Sequence, residues 1–141
     1  MENIIIKDGI EKMDFERITE MLSKAYWSPH IKIEEIKKGA INSALVVGAF
    51  ASGSEQIGYA RVISDKTRFA YITDVYIEEK FRKRGIGQKI INYILQHEEL
   101  RDVYQWLLIT KDAHGVYEKA GFKPTSRPMD LMEIRNSRPL R

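Results

Sequence analysis

The chain has no cysteine among its 141 residues. Disulfides, thiolate metal sites and a cysteine nucleophile are therefore excluded. Its three histidines, His30, His97 and His114, are scattered without metal-ligand spacing, so no metal is expected. A Gly-x-Ser-x-Gly nucleophile elbow is also missing. No apolar run approaches a membrane span, and the opening Met-Glu-Asn-Ile-Ile-Ile-Lys is too short for a signal peptide, so a cytoplasmic location is expected. Neither charge sign dominates: 23 basic and 20 acidic residues are mostly interleaved, and a net charge of +3 does not by itself point to nucleic acid. Repeats, linkers and low-complexity stretches are absent, and only Asn136 to Arg141 reads as frayed.

What is present suits a single domain over residues 1–141, with 43% apolar residues to build one core. Alternating elements predict an α/β fold. Ile4 to Lys7 reads as a strand, and Asp14 as the N-cap of a helix through about Lys24. A second helix covers Ile33 to about Ile41, with Gly39 weakening its end. Strands follow over Ala44 to Ala51, Gln56 to Ser64 and Phe69 to Ile77, separated by polar turns that make them an antiparallel meander. Gly85 to His97 carries Ile86, Ile90, Ile91, Ile94 and Leu95 at helical period. Val103 to Thr110 is a strand, Asp112 caps a helix ending before Gly121, and Phe122 starts a final strand pair closing with Met129 to Ile134. The predicted order is βααβββαβαββ.

The richest stretch is Tyr71 to Ile90, where an apolar strand enters a turn carrying Arg82, Lys83, Arg84, Gly85 and Gly87, and the turn opens a helix. Glycines let backbone N–H groups approach a ligand, and a helix N-terminus supplies unsatisfied donors and partial positive charge. With three cations beside them, these residues suit a diphosphate. The Walker A pattern fails, since Gln88 and Lys89 follow Gly87 where Lys-Ser/Thr is needed. The dinucleotide fingerprint fails as well, since Ile90 stands where its third glycine belongs.

The turn Arg82-x-x-Gly85-x-Gly87, entered from Asp74-Val75-Tyr76-Ile77, resembles the pyrophosphate-binding motif of the GNAT superfamily of acyl-CoA-dependent N-acyltransferases. A second segment, Ala113-His-Gly-Val-Tyr-Glu-Lys-Ala-Gly-Phe122, resembles that superfamily's A-x-x-x-Y-x-x-x-G-F, in the right order downstream. The block Arg127 to Ile134, with Asp112-Ala-His-Gly115, is similar to a sub-group of small bacterial-type members. The resemblance covers nearly the whole chain and implies a mixed, mostly antiparallel central sheet with helices on both faces.

The resemblance also implies acetyl-CoA as co-substrate and a set of residues that hold it. Val75, Tyr76 and Ile77 would present backbone groups to the pantetheine arm from a bulged, splayed strand. The alternation over residues 69–77 fits an ordinary buried strand equally well. Arg82, Lys83, Arg84, Gly85, Ile86, Gly87 and Gln88 would form the diphosphate cradle; Lys83 stands where the family often has glycine. Thr110 stands where many members have asparagine, and Thr110 and Asp112 would supply polar contacts to the coenzyme.

Two side chains are candidates for the chemistry. Asp74 lies in a strand apolar on both faces, where a carboxylate is costly unless paired or at a cleft. It is either a base for the substrate ammonium or an aspartate satisfied at a strand distortion. Tyr117, at the matching motif position, would act on the departing thiolate by protonating it or hydrogen-bonding to it; a packing role is the alternative.

On the acceptor side, Tyr26-Trp27-Ser28-Pro29-His30 joins the first two helices, where the resemblance puts a substrate-facing loop. Aromatic rings there suit a cation–π contact with an amine, and packing of Trp27 beneath the loop is the competing reading. Phe50 to Tyr59 is expected along the same cleft. The expected activity is acetyl transfer to a small-molecule or peptide amine by direct attack in a ternary complex, with no nucleic acid or membrane partner; a homodimer is compatible with the sequence. A non-catalytic acyl-CoA-binding or regulatory module is the alternative, and a nucleic-acid binder using the Arg82–Lys89 patch a weaker third.

Overall fold

Alternation along the chain resolves into a five-stranded sheet covered by helices on both faces. The computed structural model describes residues 3–138, 140 and 141. Strand β1 (Ile5–Asp8) is followed by helices α1 (Phe15–Ser23) and α2 (Ile33–Ile41), strands β2 (Leu45–Phe50), β3 (Gln56–Ser64) and β4 (Phe69–Ile77), helix α3 (Ile86–Leu95), strand β5 (Gln105–Leu108) and helix α4 (His114–Lys119). Sheet order is β1-β2-β3-β4-β5. Neighbours are antiparallel except β4 and β5, which run parallel.

Each face has its own core. On one, Ile86, Ile90, Ile91 and Ile94 of α3 pack on Val47, Ile57, Val62 and Ile72. On the other, Ile18, Met21 and Leu22 of α1 and Ile36 of α2 pack on Val46, Tyr59 and Tyr76. Strand β2 is buried along its whole length because both faces are covered, which is why it reads as an unbroken apolar run. Asp14 caps α1 as expected, its carboxylate accepting from Arg17 N at 3.1 Å. The buried Gln56 ties that helix start to β3 by accepting from Asp14 N at 2.8 Å.

Strand β4 positions the site. Tyr59 pairs with Tyr76 but Arg61 pairs with Thr73, so Asp74 and Val75 together oppose Ala60. This is a β-bulge, with Asp74 in left-handed backbone at φ 57°. The bulge inverts the side-chain parity. Ala70 and Ile72 before it share the α3 face with Val75 and Ile77 after it, while Tyr76 lies on the α1/α2 face. Strict alternation along residues 69–77 would put Val75 and Ile77 with Phe69 and Tyr71, and the extra residue overturns that grouping. Pairing with β5 stops at Ile72, so among the described residues no strand flanks residues 73–77 on that side.

Two expectations fail. The final strand pair does not form: from Phe122 onward the described residues hold only a 3-10 turn, Pro128–Asp130, and the observed order is βααβββαβα. Pro128 opens that turn with its fixed φ and lacks an N–H to give a ladder. Met129, Met132 and Ile134 are exposed instead of lining a sheet face (90%, 95% and 93%). Nor does Asp112 cap α4. Its N-cap is Ala113, and Thr110 Oγ1 accepts from Ala113 N at 3.0 Å, so Thr110 organises that helix start.

Candidate active site

The turn after β4 is a set of unspent donors. Its first helical hydrogen bond runs from Lys89 N to the Gly85 carbonyl at 3.1 Å. The N–H groups of residues 83–88 have no partner among the described residues. Gly85, the N-cap of α3, lies in left-handed backbone at φ 78°, no side chain caps the helix, and its first turn holds no acidic residue. A Cβ on Gly85 would meet nothing within 4 Å, and one on Gly87 only Val116 Cγ1 at 3.7 Å. The fold leaves that space open on the ligand side, which fits a diphosphate. Lys83, at the position often glycine, does adopt left-handed backbone, φ 64°.

The cationic side chains are partly engaged. Arg82 Nε donates to the Ile77 carbonyl at 2.9 Å and its guanidinium lies 5.0 Å from the Tyr76 ring centre. Arg82 thus pins the turn to the end of β4, and its two terminal nitrogens have no hydrogen-bond partner among the described residues. Arg84 stacks over Phe81 at 5.3 Å. Gln88 turns along the helix to donate to Asn92 Oδ1 at 3.3 Å, leaving its own Oε1 buried without a partner among the described residues. Ile86 is buried in the core, so only its backbone faces the cradle.

Asp74 is the hub on the other side of the bulge. Its Oδ2 accepts from Arg61 Nε at 2.7 Å and its Oδ1 from Trp27 Nε1 at 3.1 Å. Trp27 in turn meets Tyr26 edge-on, with ring centres 5.0 Å apart, and Tyr76 at 6.4 Å. Two expected acceptor-side residues are thereby joined to the bulge. The aspartate costs little here because the side-chain donors of Trp27 and Arg61 satisfy it. Gly39 serves the same hub. A Cβ there would stand 3.3 Å from Arg61 Cζ, so the helix-weakening glycine makes room for the guanidinium. His30 is not brought in: it is exposed, in left-handed backbone at φ 61°, and its side chain forms no hydrogen bond or ion pair among the described residues.

Tyr117 sits on α4, packed against the α3 core and edge-on to Phe122 with ring centres 6.1 Å apart. Burial first, then the charge of Asp112 and the nearby Tyr26, push its hydroxyl up to about 12 from the ordinary 10.0. The phenol therefore stays protonated at neutral pH. Tyr26 also carries Lys111 Nζ over its ring at 5.3 Å, so Tyr26 touches both the Asp74 hub and the α4 side.

Sequence reasoning missed Arg61 and Lys38. The signal for Arg61 is an arginine inside an otherwise buried strand, one register position from an aspartate inside another; each is costly alone and explained by the other. Glu35, Lys38, Tyr59, Arg61 and Asp74 surround a cavity of about 330 Å³ between α2 and the sheet. Tyr59 ends the segment expected along the cleft.

A family model described as acetyltransferase (GNAT) domain matches residues 43–124, which takes in both motifs. A crystal structure of an acetyltransferase assigned to the GNAT family, from Xanthomonas campestris pv. campestris, superposes with a TM-score of 0.87 at 32% identity, covering 95% of this chain and 94% of the other. A GNAT-family acetyltransferase of Streptococcus pneumoniae TIGR4 shares the fold at 20% identity, with a TM-score of 0.77 over 97% of this chain and 100% of that one. An uncharacterized N-acetyltransferase of Pyropia yezoensis is 27% identical over 94 residues, which is 64% of this chain and 54% of the relative, so the match spans about half of that protein. The chain shares its architecture with these proteins and belongs to the GNAT acetyltransferase family.

Proposed function

We propose that the protein is an N-acetyltransferase that moves an acetyl group from acetyl-CoA to a primary amine by direct attack in a ternary complex. The observation that carries this reading is the run of N–H groups over residues 83–88 that have no partner among the described residues, beside a bulged strand whose residues 73–77 pair with β3 but with no strand on the β5 side among those residues. The cradle N–H groups, with Arg82, Lys83 and Arg84, hold the diphosphate. Backbone groups of Val75 and Ile77, flanking Tyr76, orient the pantetheine arm like an added strand and polarise the acyl carbonyl. Bound acetyl-CoA supplies an acetyl group activated as a thioester. Thr110 Oγ1 accepts from Ala113 N but keeps its hydroxyl proton, so Thr110 and Asp112 both remain as downstream polar contacts for the coenzyme.

In the transfer, the amine nitrogen bonds to the acetyl carbon, the carbon–sulfur bond breaks, and the ammonium proton leaves through Asp74 or a water beside it. Trp27 and Arg61 hold the carboxylate in place for that task, each oxygen keeps a further lone pair, and Asp74 lines the cavity between α2 and the sheet. Tyr117 acts on the sulfur. A thiolate whose parent thiol titrates near ~8.5, by analogy with cysteine, does not take a proton outright from a phenol raised to about 12, so the phenol stabilises it by donating a hydrogen bond.

One observation favours the non-catalytic alternative, an acyl-CoA-binding module: both oxygens of Asp74 already have protein donors. Thermal shift with acetyl-CoA, CoA and DNA, followed by thiol release over an amine panel, separates the readings. Stabilisation by acetyl-CoA with amine-dependent thiol release supports transfer; stabilisation without release supports the binding module; stabilisation by DNA alone supports neither.

A further inference from the structure

The cavity between α2 and the sheet has an imbalance of polar groups that indicates what it takes. Both oxygens of each of its two carboxylates already have a protein donor. Asp74 is held by Arg61 and Trp27, and Glu35 by Arg141, whose Nε and Nη2 lie 3.1 and 2.6 Å from its two oxygens. Its donors are not spent. Arg61 uses Nε on Asp74 and directs Nη1 at Ser43 Oγ (3.3 Å) and the Gly39 carbonyl (3.5 Å), but Nη2 has no partner among the described residues. Lys38, at the rim, forms no ion pair among them either.

Tyr59 is the telling group. It is 1% exposed, yet its hydroxyl has no hydrogen-bond partner among the described residues. Leaving a buried hydroxyl unpaired is costly, and such groups are rare in finished structures. Arg61 and Asp74 are close enough for their charges to act on the phenol, and burial raises its pKa far above neutrality, so it remains a donor. A donor phenol, a guanidinium nitrogen and an ammonium around one small cavity lack a common acceptor, and a carboxylate or phosphate supplies it with charge-assisted bonds. Asp74, in the same wall, stands at the β4 bulge where the amine is to react.

We propose that this cavity is the acceptor pocket and selects primary amines that carry an anionic group on the same molecule, bound through Tyr59, Arg61 and Lys38 while the amine faces Asp74. The inference rests on the acetyl-transfer reading and adds the class of acceptor.

The test compares matched amines in acetyl-CoA-dependent thiol release: β-alanine against propylamine for a carboxylate, and O-phosphoethanolamine against ethanolamine for a phosphate. The anionic member of at least one pair is expected to have a kcat/KM at least 10-fold above its neutral mate, and the preferred pair names the anion. Tyr59→Phe removes only the unpaired hydroxyl, so its melting temperature should not fall, while KM for the preferred anionic amine rises about 10-fold and the preference shrinks. Lys38→Met, at the exposed rim, should shrink it in the same direction. Equal rates within both pairs, with acetyl transfer intact, overturn the acceptor class alone. A preference unchanged in both variants overturns the role of the pocket. No transfer to any of the four amines, in a chain that binds acetyl-CoA, overturns the transfer reading and this inference with it.

Discussion

Gly87→Ala separates the needs of the fold from those of the ligand. Gly87 lies inside α3, with ordinary helical backbone, and the nearest atom to an added Cβ is Val116 Cγ1 at 3.7 Å. The methyl group meets nothing it must displace, and alanine is a better helix former than glycine by about 0.5–1 kcal/mol. The variant should therefore be more stable than wild type, melting roughly 2–4 °C higher for a domain of this size. Its coenzyme affinity should move the opposite way. The methyl group stands beside an N–H that the cradle offers to a phosphate, and losing one charge-assisted bond costs about 1.5–3 kcal/mol, or roughly 10- to 100-fold in Kd. Calorimetry with CoA and a melting scan on the same preparation read both numbers. Wild-type affinity in a stabilised variant would refute the cradle contact, and a lowered melting temperature would refute the reading of the open space around Gly87.

Tyr117→Phe keeps the ring against Phe122 and should leave stability within about 1 kcal/mol, while turnover falls about 10²-fold and an acyl donor with a more acidic thiol loses less; equal turnover where chemistry limits the rate makes Tyr117 a packing residue. Because its pKa is raised to about 12, the phenol's donor form persists below that pH and is lost only as pH rises through it. The rate profile should therefore climb from pH 6 to 9 with amine deprotonation and show no phenol-dependent fall below about pH 10, and Tyr117→Phe should lower it without changing its shape over that range. Asp74→Asn keeps an acceptor for Trp27 but strips Arg61 of its counter-charge, which should cost about 1–3 kcal/mol of stability; turnover per folded molecule should fall at neutral pH and recover toward high pH, and normal turnover throughout assigns Asp74 to structure. Lys83→Gly relieves a left-handed lysine and should raise stability by about 0.5–1 kcal/mol net, whereas an unchanged or lower melting temperature would show that φ 64° carries no strain.

Much of this fold is legible because local chemistry and global packing agree. The α2, β3 and β4 boundaries coincide with those that periodicity and polar turns predict, since each element has a buried face and a clear stop. The turn before α3 is legible for a related reason: glycine marks its left-handed backbone at Gly85 in the letters themselves. Alternation failed at the β4 bulge, where one extra residue inverts the faces and makes room for Asp74. The partners of Asp74 were hidden because Trp27 and Arg61 are 47 and 13 residues away in sequence, joined only by register and by the α1–α2 loop. The final strands were misjudged because the apolar-rich run Met129 to Ile134 resembles a strand wherever Pro128 and the lack of a sheet partner among the described residues are ignored.

The central claim is that this site moves an acetyl group and does not merely hold its donor. The most direct measurement is a paired count, on wild-type protein, of thiol released from acetyl-CoA and of N-acetylated amine formed, the latter by mass spectrometry. The account predicts equal amounts of both, dependent on the amine and reduced together in Tyr117→Phe. Saturable binding of acetyl-CoA with no acetylated product from any amine, or thiol release that ignores the amine, would contradict it.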